Sequence, residues 1–271
     1  MIEPLIQAVR QRQAILFVGA GVSKQLGLPS WNELIGEMAK QLEYDPSVFQ
    51  SQGSGYLELA EFYKIKKTSM GSLRSWMDRT WHTDEVKVDK CPIYRSIVGL
   101  KCPLIYTTNY DRWLEIAFGR YEKDFVKIAN VGDFTKIRDG VTQIVKFHGD
   151  LDDDTSLVLT ETSYFERLAF ESPLDIKLRS DTLGKSILFI GYSVSDINIR
   201  YLLYKLHRLW SESEFAPVRP KSYIFLTRPN PIQEAILEER GITPIVSEVD
   251  DQGVGLTTFV ERLVREAFGT S

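Results

Sequence analysis

Five short clusters of small, polar and titratable residues each follow directly on an apolar run. Gly19-Ala20-Gly21-Val22-Ser23 follows Ala14–Val18, and Thr107-Thr108-Asn109-Tyr110-Asp111 follows Leu104–Tyr106. His148-Gly149 follows Gln143–Phe147, Gly191-Tyr192-Ser193 follows Ser186–Ile190, and Thr227-Arg228 follows Tyr223–Leu226. Glycines at a strand end allow a tight turn and close backbone approach to a pyrophosphate. Asn109 offers both a donor and an acceptor to hydroxyls and water. His148 is a side chain that exchanges a proton near neutral pH. Together these residue types suit a nucleotide site with a general base. Singly, Asn109 reads as the cap of the helix that begins near Asp111, and His148 reads as a satisfied buried histidine. Their placement at adjacent strand ends favours the site. Gly191 and Ser193 read either as a turn with an N-cap or as nucleotide contacts.

Other chemistries are disfavoured by what is missing. The G-x-G-x-x-G pattern is broken by Lys24, and the segment some 20 residues on is helical where a dinucleotide fold places an acidic strand end. That argues against hydride transfer. No G-x-x-x-x-G-K-[ST] is present, which argues against a P-loop ATPase. Asp150, Asp152, Asp154 and Glu161 have the spacing of a calcium loop, but Thr155 stands where that loop needs glycine. A solvated acidic loop is expected there, and no metal. His82 and His207 receive no role.

The elements that position these clusters follow from periodicity. The short apolar runs named above, with a sixth at Ile242–Val246, read as strands buried on both faces of a parallel sheet. Helical patterns lie between them, at Trp31–Leu42, Arg112–Tyr121, Asp196–Trp210 and Pro231–Arg240, with Thr257–Phe268 last. The expectation is an α/β, Rossmann-like, doubly wound parallel sheet of about six strands. It forms one domain over residues 1–271, with a helical insertion at 44–92 that contains helices Tyr56–Lys66 and Leu73–Thr80. In such a sheet ligands bind in the crevice at the carboxyl ends of the strands, which is where the five clusters fall.

Bulk properties narrow the class further. The 271 residues carry a net charge of −4, with 43% apolar and 26% charged side chains, as in soluble globular proteins. The acidic balance makes direct nucleic-acid binding a poor expectation. Two cysteines, Cys91 and Cys102, neither form a disulfide framework nor supply a four-thiolate zinc site. The opening segment is an amphipathic helix without the features of a secretory signal. No apolar run is long enough to span a bilayer. A cytoplasmic protein is expected.

Gly-Ala-Gly-Val-Ser, Thr-x-Asn-x-Asp, His-Gly and Gly-x-Ser, in this order and each after an apolar strand, resemble the sirtuin family. Lys146-Phe147-His148-Gly149 with Ser156–Thr160, and Gly191-Tyr192-Ser193 with Asp196, resemble its bacterial antiphage-defence branch of NAD-consuming enzymes. The resemblance implies NAD⁺ as substrate, with Asn109 and His148 as the essential pair. It implies nucleotide contacts at Gly19, Ala20, Gly21, Ser23, Thr108, Asp111, Gly191 and Ser193; Thr227 is added from its position after the fifth strand. The four zinc-binding cysteines of deacylase sirtuins are absent after His-Gly, and Gly27-Leu28-Pro29-Ser30-Trp31 replaces their Pro-x-Phe-Arg-like element. The expected activity is therefore hydrolysis of the nicotinamide–ribose bond to nicotinamide and ADP-ribose, depleting NAD in abortive infection. Alternatives are an ADP-ribosyl transferase, a cyclase, a deacylase, or a non-catalytic NAD- or ADP-ribose-binding regulatory subunit. The resemblance also implies activation by self-assembly or by a sensor, an ATPase or a nucleic-acid-guided protein. The chain ends near the core, so that sensor is expected on another polypeptide.

Overall fold

Among the described residues, seven strands form one wholly parallel sheet in the order β3-β4-β2-β1-β5-β6-β7. They are β1 (Ala14–Val18), β2 (Leu104–Thr107), β3 (Phe125–Ile128), β4 (Thr142–Lys146), β5 (Ser186–Ile190), β6 (Ser222–Leu226) and β7 (Ile242–Val246). The computed structural model describes residues 2–53, 55–83, 86–169, 171–192, 197–211, 214–215 and 218–269. Strand β1 is central and pairs with β2 on one side and β5 on the other, with Phe17 opposite both Tyr106 and Phe189. The chain order reverses across β1, which creates the switch point where a parallel sheet opens a crevice.

The sheet has seven strands where the sequence suggests about six. The added strand is β3, whose Phe-Val-Lys-Ile is buried only at alternate positions. It lies at the sheet edge, beside β4 alone. A half-covered edge strand needs no continuous apolar run, so its sequence carries little signal. At the opposite edge, β7 holds Pro244, which an edge strand tolerates because one side of its backbone is unpaired.

Among the described residues, thirteen α-helices connect and cover the strands. On one face Leu16, Val18, Ile105, Ile144, Leu188 and Ile190 share a core with α1 (Glu3–Arg10), α3 (Trp31–Gln41), α7 (Pro92–Gly99), α8 (Trp113–Arg120) and α13 (Gln252–Phe268). A short turn of helix, α2 (Ala20–Ser23), leads out of β1. Helices α4 (Pro46–Gln52), α5 (Tyr56–Lys67) and α6 (Gly71–Trp81) add Phe49, Ala60, Tyr63, Met77 and Trp81 to that core. The segment between Tyr44 and Pro92 is thus packed into the same apolar cluster as the sheet. On the other face Ile15, Phe17, Tyr106, Phe147, Ile187 and Phe189 meet α10 (Pro173–Thr182), α11 (Ile197–Ser211) and α12 (Pro231–Glu239) through Leu178, Leu203, Leu206 and Leu237. Helix α9 (Glu161–Leu168) lies against α5 and α11.

Local signals set the helix ends. Ser30 and Glu33 form a reciprocal capping box at the start of α3. Asn230 caps α12, and Gly241 follows it with a left-handed φ of 71°. Asp196, the sequence-expected start of α11, lies outside the described residues. No helix among the described residues is long and apolar enough to cross a membrane.

Candidate functional site

A cavity of about 190 Å³ opens at the carboxyl ends of β1, β2, β4 and β5. Ala20 reaches it from β1, and Thr108, Asn109 and Tyr110 from β2. His148 comes from β4, and Gly191 and Tyr192 from β5. The remaining wall is supplied by Leu28, Pro29, Ser30 and Trp31, with Leu34 of α3, Trp81 of α6 and Tyr164 of α9. None of these lining residues is Lys, Arg, Asp or Glu. Five are Trp or Tyr, so the wall that the described residues form is aromatic and carries no fixed charge.

Asn109 is held in one orientation. It is buried, and its Nδ2 donates to the Gly19 carbonyl at 3.1 Å and to Ser23 Oγ at 2.8 Å. A carbonyl oxygen only accepts, so the amide nitrogen must face Gly19. Ser23 Oγ donates onward to Asp111 Oδ2 at 2.7 Å, and Asp111 Oδ1 accepts from the Trp113 N–H at 3.1 Å. Both donor positions of Asn109 are thereby used, and its Oδ1 is left as the atom it can offer to a ligand. Ser23 and Asp111 are almost fully buried behind it.

The three glycines at the crevice floor are explained first by one another. The Gly19 N–H donates to the Ile190 carbonyl and the Gly21 N–H to the Gly191 carbonyl, each at 2.9 Å. A Cβ on Gly19 would lie 2.5 Å from the Gly191 oxygen, and one on Gly21 would lie 2.9 Å from it. The lack of side chains lets the β1 and β5 turns touch backbone to backbone. Above them Tyr192 packs edge-on to Phe17, and its hydroxyl shares a 2.8 Å hydrogen bond with Thr108 Oγ1.

His148 is buried between Phe147, stacked at 5.8 Å, and Tyr164, edge-on at 5.4 Å. Its chain direction is set by the next residue. Gly149 has φ 95°, and a Cβ there would fall 2.2 Å from the Ser156 oxygen. The loop after His148 folds back at once, closed by the Val158 N–H donating to the His148 carbonyl at 2.9 Å. Two residues before His148, at the end of β4, the fully buried Lys146 Nζ donates to the Asp111 carbonyl at 2.5 Å. Glu115 lies 3.4 Å from the same ammonium, and burial pushes its carboxyl above the usual range against the pull of Lys146. The strand that carries His148 therefore grips the loop that carries Asn109.

The structure gathers Asn109, His148, Ala20, Thr108 and Gly191 on the cavity. Gly19, Gly21, Ser23 and Asp111 lie in the layer beneath or behind. Thr227, half-buried at the end of β6, is not among the lining residues, and Ser193 lies outside the described residues. The acidic loop after His148 is charge-paired: Lys127 contacts both Asp150 and Asp152, and Arg112 contacts Asp152. No group of three or more His, Cys, Asp or Glu among the described residues is arranged to hold a metal. The aromatic wall was not read from sequence. Trp31, Tyr110 and Tyr192 sit within or beside the motifs and could have been suspected, whereas Trp81 and Tyr164 arrive from distant helices.

Residues 103–245 match the family model described as a SIR2-like domain. The chain is similar to "NAD(+) hydrolase ThsA" of Enterococcus faecium, 27% identical over 217 residues, or 79% of this chain and 44% of that protein. It is 28% identical over 214 residues to "NAD(+) hydrolase ThsA" of Cytobacillus dafuensis, covering 78% and 42%. It is also 27% identical over 255 residues to "Defense-associated sirtuin 2" of Bacillus subtilis, covering 89% and 24%. The chain spans less than half the length of each of these curated relatives.

Proposed function

The chain belongs to the SIR2-like domain family, and from that premise we propose that it is a NAD⁺ glycohydrolase releasing nicotinamide and ADP-ribose. One observation carries the reading: Asn109 and His148 line a single cavity whose wall, among the described residues, is aromatic and free of fixed charge. Nicotinamide in NAD⁺ is a cationic ring that departs neutral, so its departure needs no acid. Aromatic faces attract such a ring before cleavage. The cavity is smaller than the roughly 300–1,000 Å³ of a typical ligand pocket. It accommodates the nicotinamide–ribose end, with the rest of the dinucleotide extending along the crevice.

The reaction breaks the bond between ribose C1′ and the ring nitrogen, whose electron pair stays with nicotinamide. The ribose passes through an oxocarbenium-like state, as in glycoside hydrolysis. Water adds to C1′ and gives up a proton. Asn109 Oδ1 accepts a hydrogen bond from a ribose hydroxyl or from that water, and His148 takes the proton. A base in this role contributes roughly 10²–10⁴-fold. Thr108 and Ala20 contact the ribose side, and the backbone at Gly191 borders the phosphates. The name "Defense-associated sirtuin 2" of one relative supports a role in defence. In the role we propose, infection triggers NAD⁺ depletion, and activity is restrained until assembly or a partner releases it.

Hydrolysis in ¹⁸O-labelled water tests the reaction class. ADP-ribose labelled at the anomeric oxygen, in equal amount to nicotinamide, is expected. A cyclic or protein-linked product without that label would replace hydrolysis by cyclisation or transfer.

A further inference from the structure

Between the Asn109 loop and the His148 loop lies a chain of charges that the proposed reaction does not use. Arg112, three residues after Asn109, donates from Nε at 3.1 Å and from a terminal nitrogen at 2.6 Å to Asp152 Oδ1. Asp152 belongs to the tightly folded loop that leaves His148. The same guanidinium contacts both oxygens of Asp78 on α6, three residues before the cavity residue Trp81. The backbone N–H of Arg112 donates to His82 Nε2 at 2.9 Å, and His82 Nδ1 faces Asp78 Oδ1 at 2.9 Å. An acceptor at Nε2 requires the proton on Nδ1, so His82 is fixed as one neutral tautomer.

We propose that Arg112 is the positioning residue that sets Asn109, His148 and Trp81 relative to one another. The proposal rests on the glycohydrolase reading for its kinetic consequence, but not for its geometry. Three separate elements converge on one planar, five-donor group: the β2 loop, the β4 loop and α6. Lysine would supply one point charge in place of the planar fork that meets both oxygens of Asp78 and sets two donors on Asp152. The brace stays charged in the working range, because Lys127 and then Arg112 hold the Asp152 carboxyl at about 2 against its partial burial. Arg112 itself touches none of the cavity and is not a catalytic residue. A displacement of roughly 1 Å between reacting groups costs about 10²-fold in rate.

The test compares wild type with Arg112→Gln, Arg112→Lys and Asp152→Asn, at temperatures where each is fully folded by circular dichroism. Turnover of NAD⁺ is expected to fall roughly 10- to 100-fold in Arg112→Gln, with KM within about threefold, because orientation and not ground-state binding is lost. Arg112→Lys and Asp152→Asn are expected to fall between it and wild type. The second readout is independent of activity. The chain has three histidines, so ¹⁵N-histidine NMR resolves His148 once His82→Gln and His207→Gln identify the others. In Arg112→Gln the His148 signals are expected to shift or split while those of His207 stay in place. A lower melting temperature with unchanged His148 signals and unchanged kcat would overturn the proposal and leave Arg112 a stability contact. If wild type itself consumes no NAD⁺, the glycohydrolase reading fails, and the His148 signals still decide the brace.

Discussion

Replacing Asn109 by aspartate changes one atom and should remove nearly all activity, whereas deleting the neighbouring Ser23 hydroxyl should cost little turnover and much stability. The difference follows from the hydrogen-bond chain. In Asn109→Asp an oxygen replaces the nitrogen that faces the Gly19 carbonyl at 3.1 Å, so acceptor meets acceptor in a buried site. The carboxylate must turn away or take up a proton, beside the buried Asp111. Turning away takes Oδ1 from the position it holds, and a loss of roughly 10²-fold or more in kcat is expected for a reacting group displaced by about 1 Å; a protonated carboxyl supplies one donor where the amide supplies two, leaving either Gly19 or Ser23 without its bond. In Ser23→Ala the Gly19 carbonyl still orients the amide. One orienting bond worth about 0.5–1.5 kcal/mol disappears, which corresponds to roughly 2- to 10-fold in rate. Two buried groups, Asn109 Nδ2 and Asp111 Oδ2, lose a partner, at about 1–3 kcal/mol each. That lowers the melting temperature by roughly 2–4 °C per kcal/mol. Steady-state NAD⁺ hydrolysis and thermal denaturation on the same samples give both numbers. Turnover of Asn109→Asp within tenfold of wild type, or a larger loss in Ser23→Ala than in Asn109→Asp, would refute the orientation argument.

Other expectations can be checked on the same preparations. Gly149→Ala puts a methyl 2.2 Å from the Ser156 oxygen at a φ of 95° and should destabilise the fold by more than the roughly 1–2 kcal/mol of a left-handed residue alone; Gly36→Ala, in α3 with open space around it, should raise the melting temperature. Burial pushes the Cys102 thiol up to about 12 from an ordinary 9. The native chain should therefore leave Cys102 unreacted with thiol reagents at pH 8 until it is unfolded. Because that folded value lies above the unfolded one, the stability it contributes is complete below pH 9 and lost as pH rises towards 12, which urea titrations across that window will detect. Trp31→Ala removes an aromatic wall of the cavity that stacks on Tyr56 at 5.9 Å, and KM for NAD⁺ should rise about 3- to 10-fold with a smaller change in kcat.

How much of this was legible beforehand depended on whether the signal was local. Runs such as Ala14–Val18 and Ile187–Ile190 are apolar at every position because both faces of the central strands are covered, and they point to a parallel sheet directly. Phe125–Ile128 has one side towards solvent, with Lys127 used for an ion pair, and reads as nothing in particular. The residues that line the crevice from strand ends, Asn109 and His148 among them, follow from the topology of a parallel sheet once the strands are known. Trp81 and Tyr164 do not, because they reach the cavity only through the packing of α6 and α9. Ser23 and Asp111 show a subtler limit. Their side chains are polar and lie beside the site, so sequence suggests ligand contacts, yet burial and hydrogen bonding place them behind Asn109. The glycines illustrate the same point: their spacing suggests space for a pyrophosphate, and the structure uses that space first for the contact between the β1 and β5 turns.

The central claim is that Asn109 and His148 act together on the nicotinamide–ribose bond. The most direct test is to follow NAD⁺, nicotinamide and ADP-ribose by chromatography for wild type, Asn109→Ala and His148→Ala, each alone and with the product of a neighbouring gene. The expected result is stoichiometric nicotinamide and ADP-ribose from wild type, reduced roughly 10²-fold or more by either substitution in a chain that melts like wild type. Undiminished hydrolysis in either variant, or NAD⁺ bound but never cleaved under any condition, would contradict it.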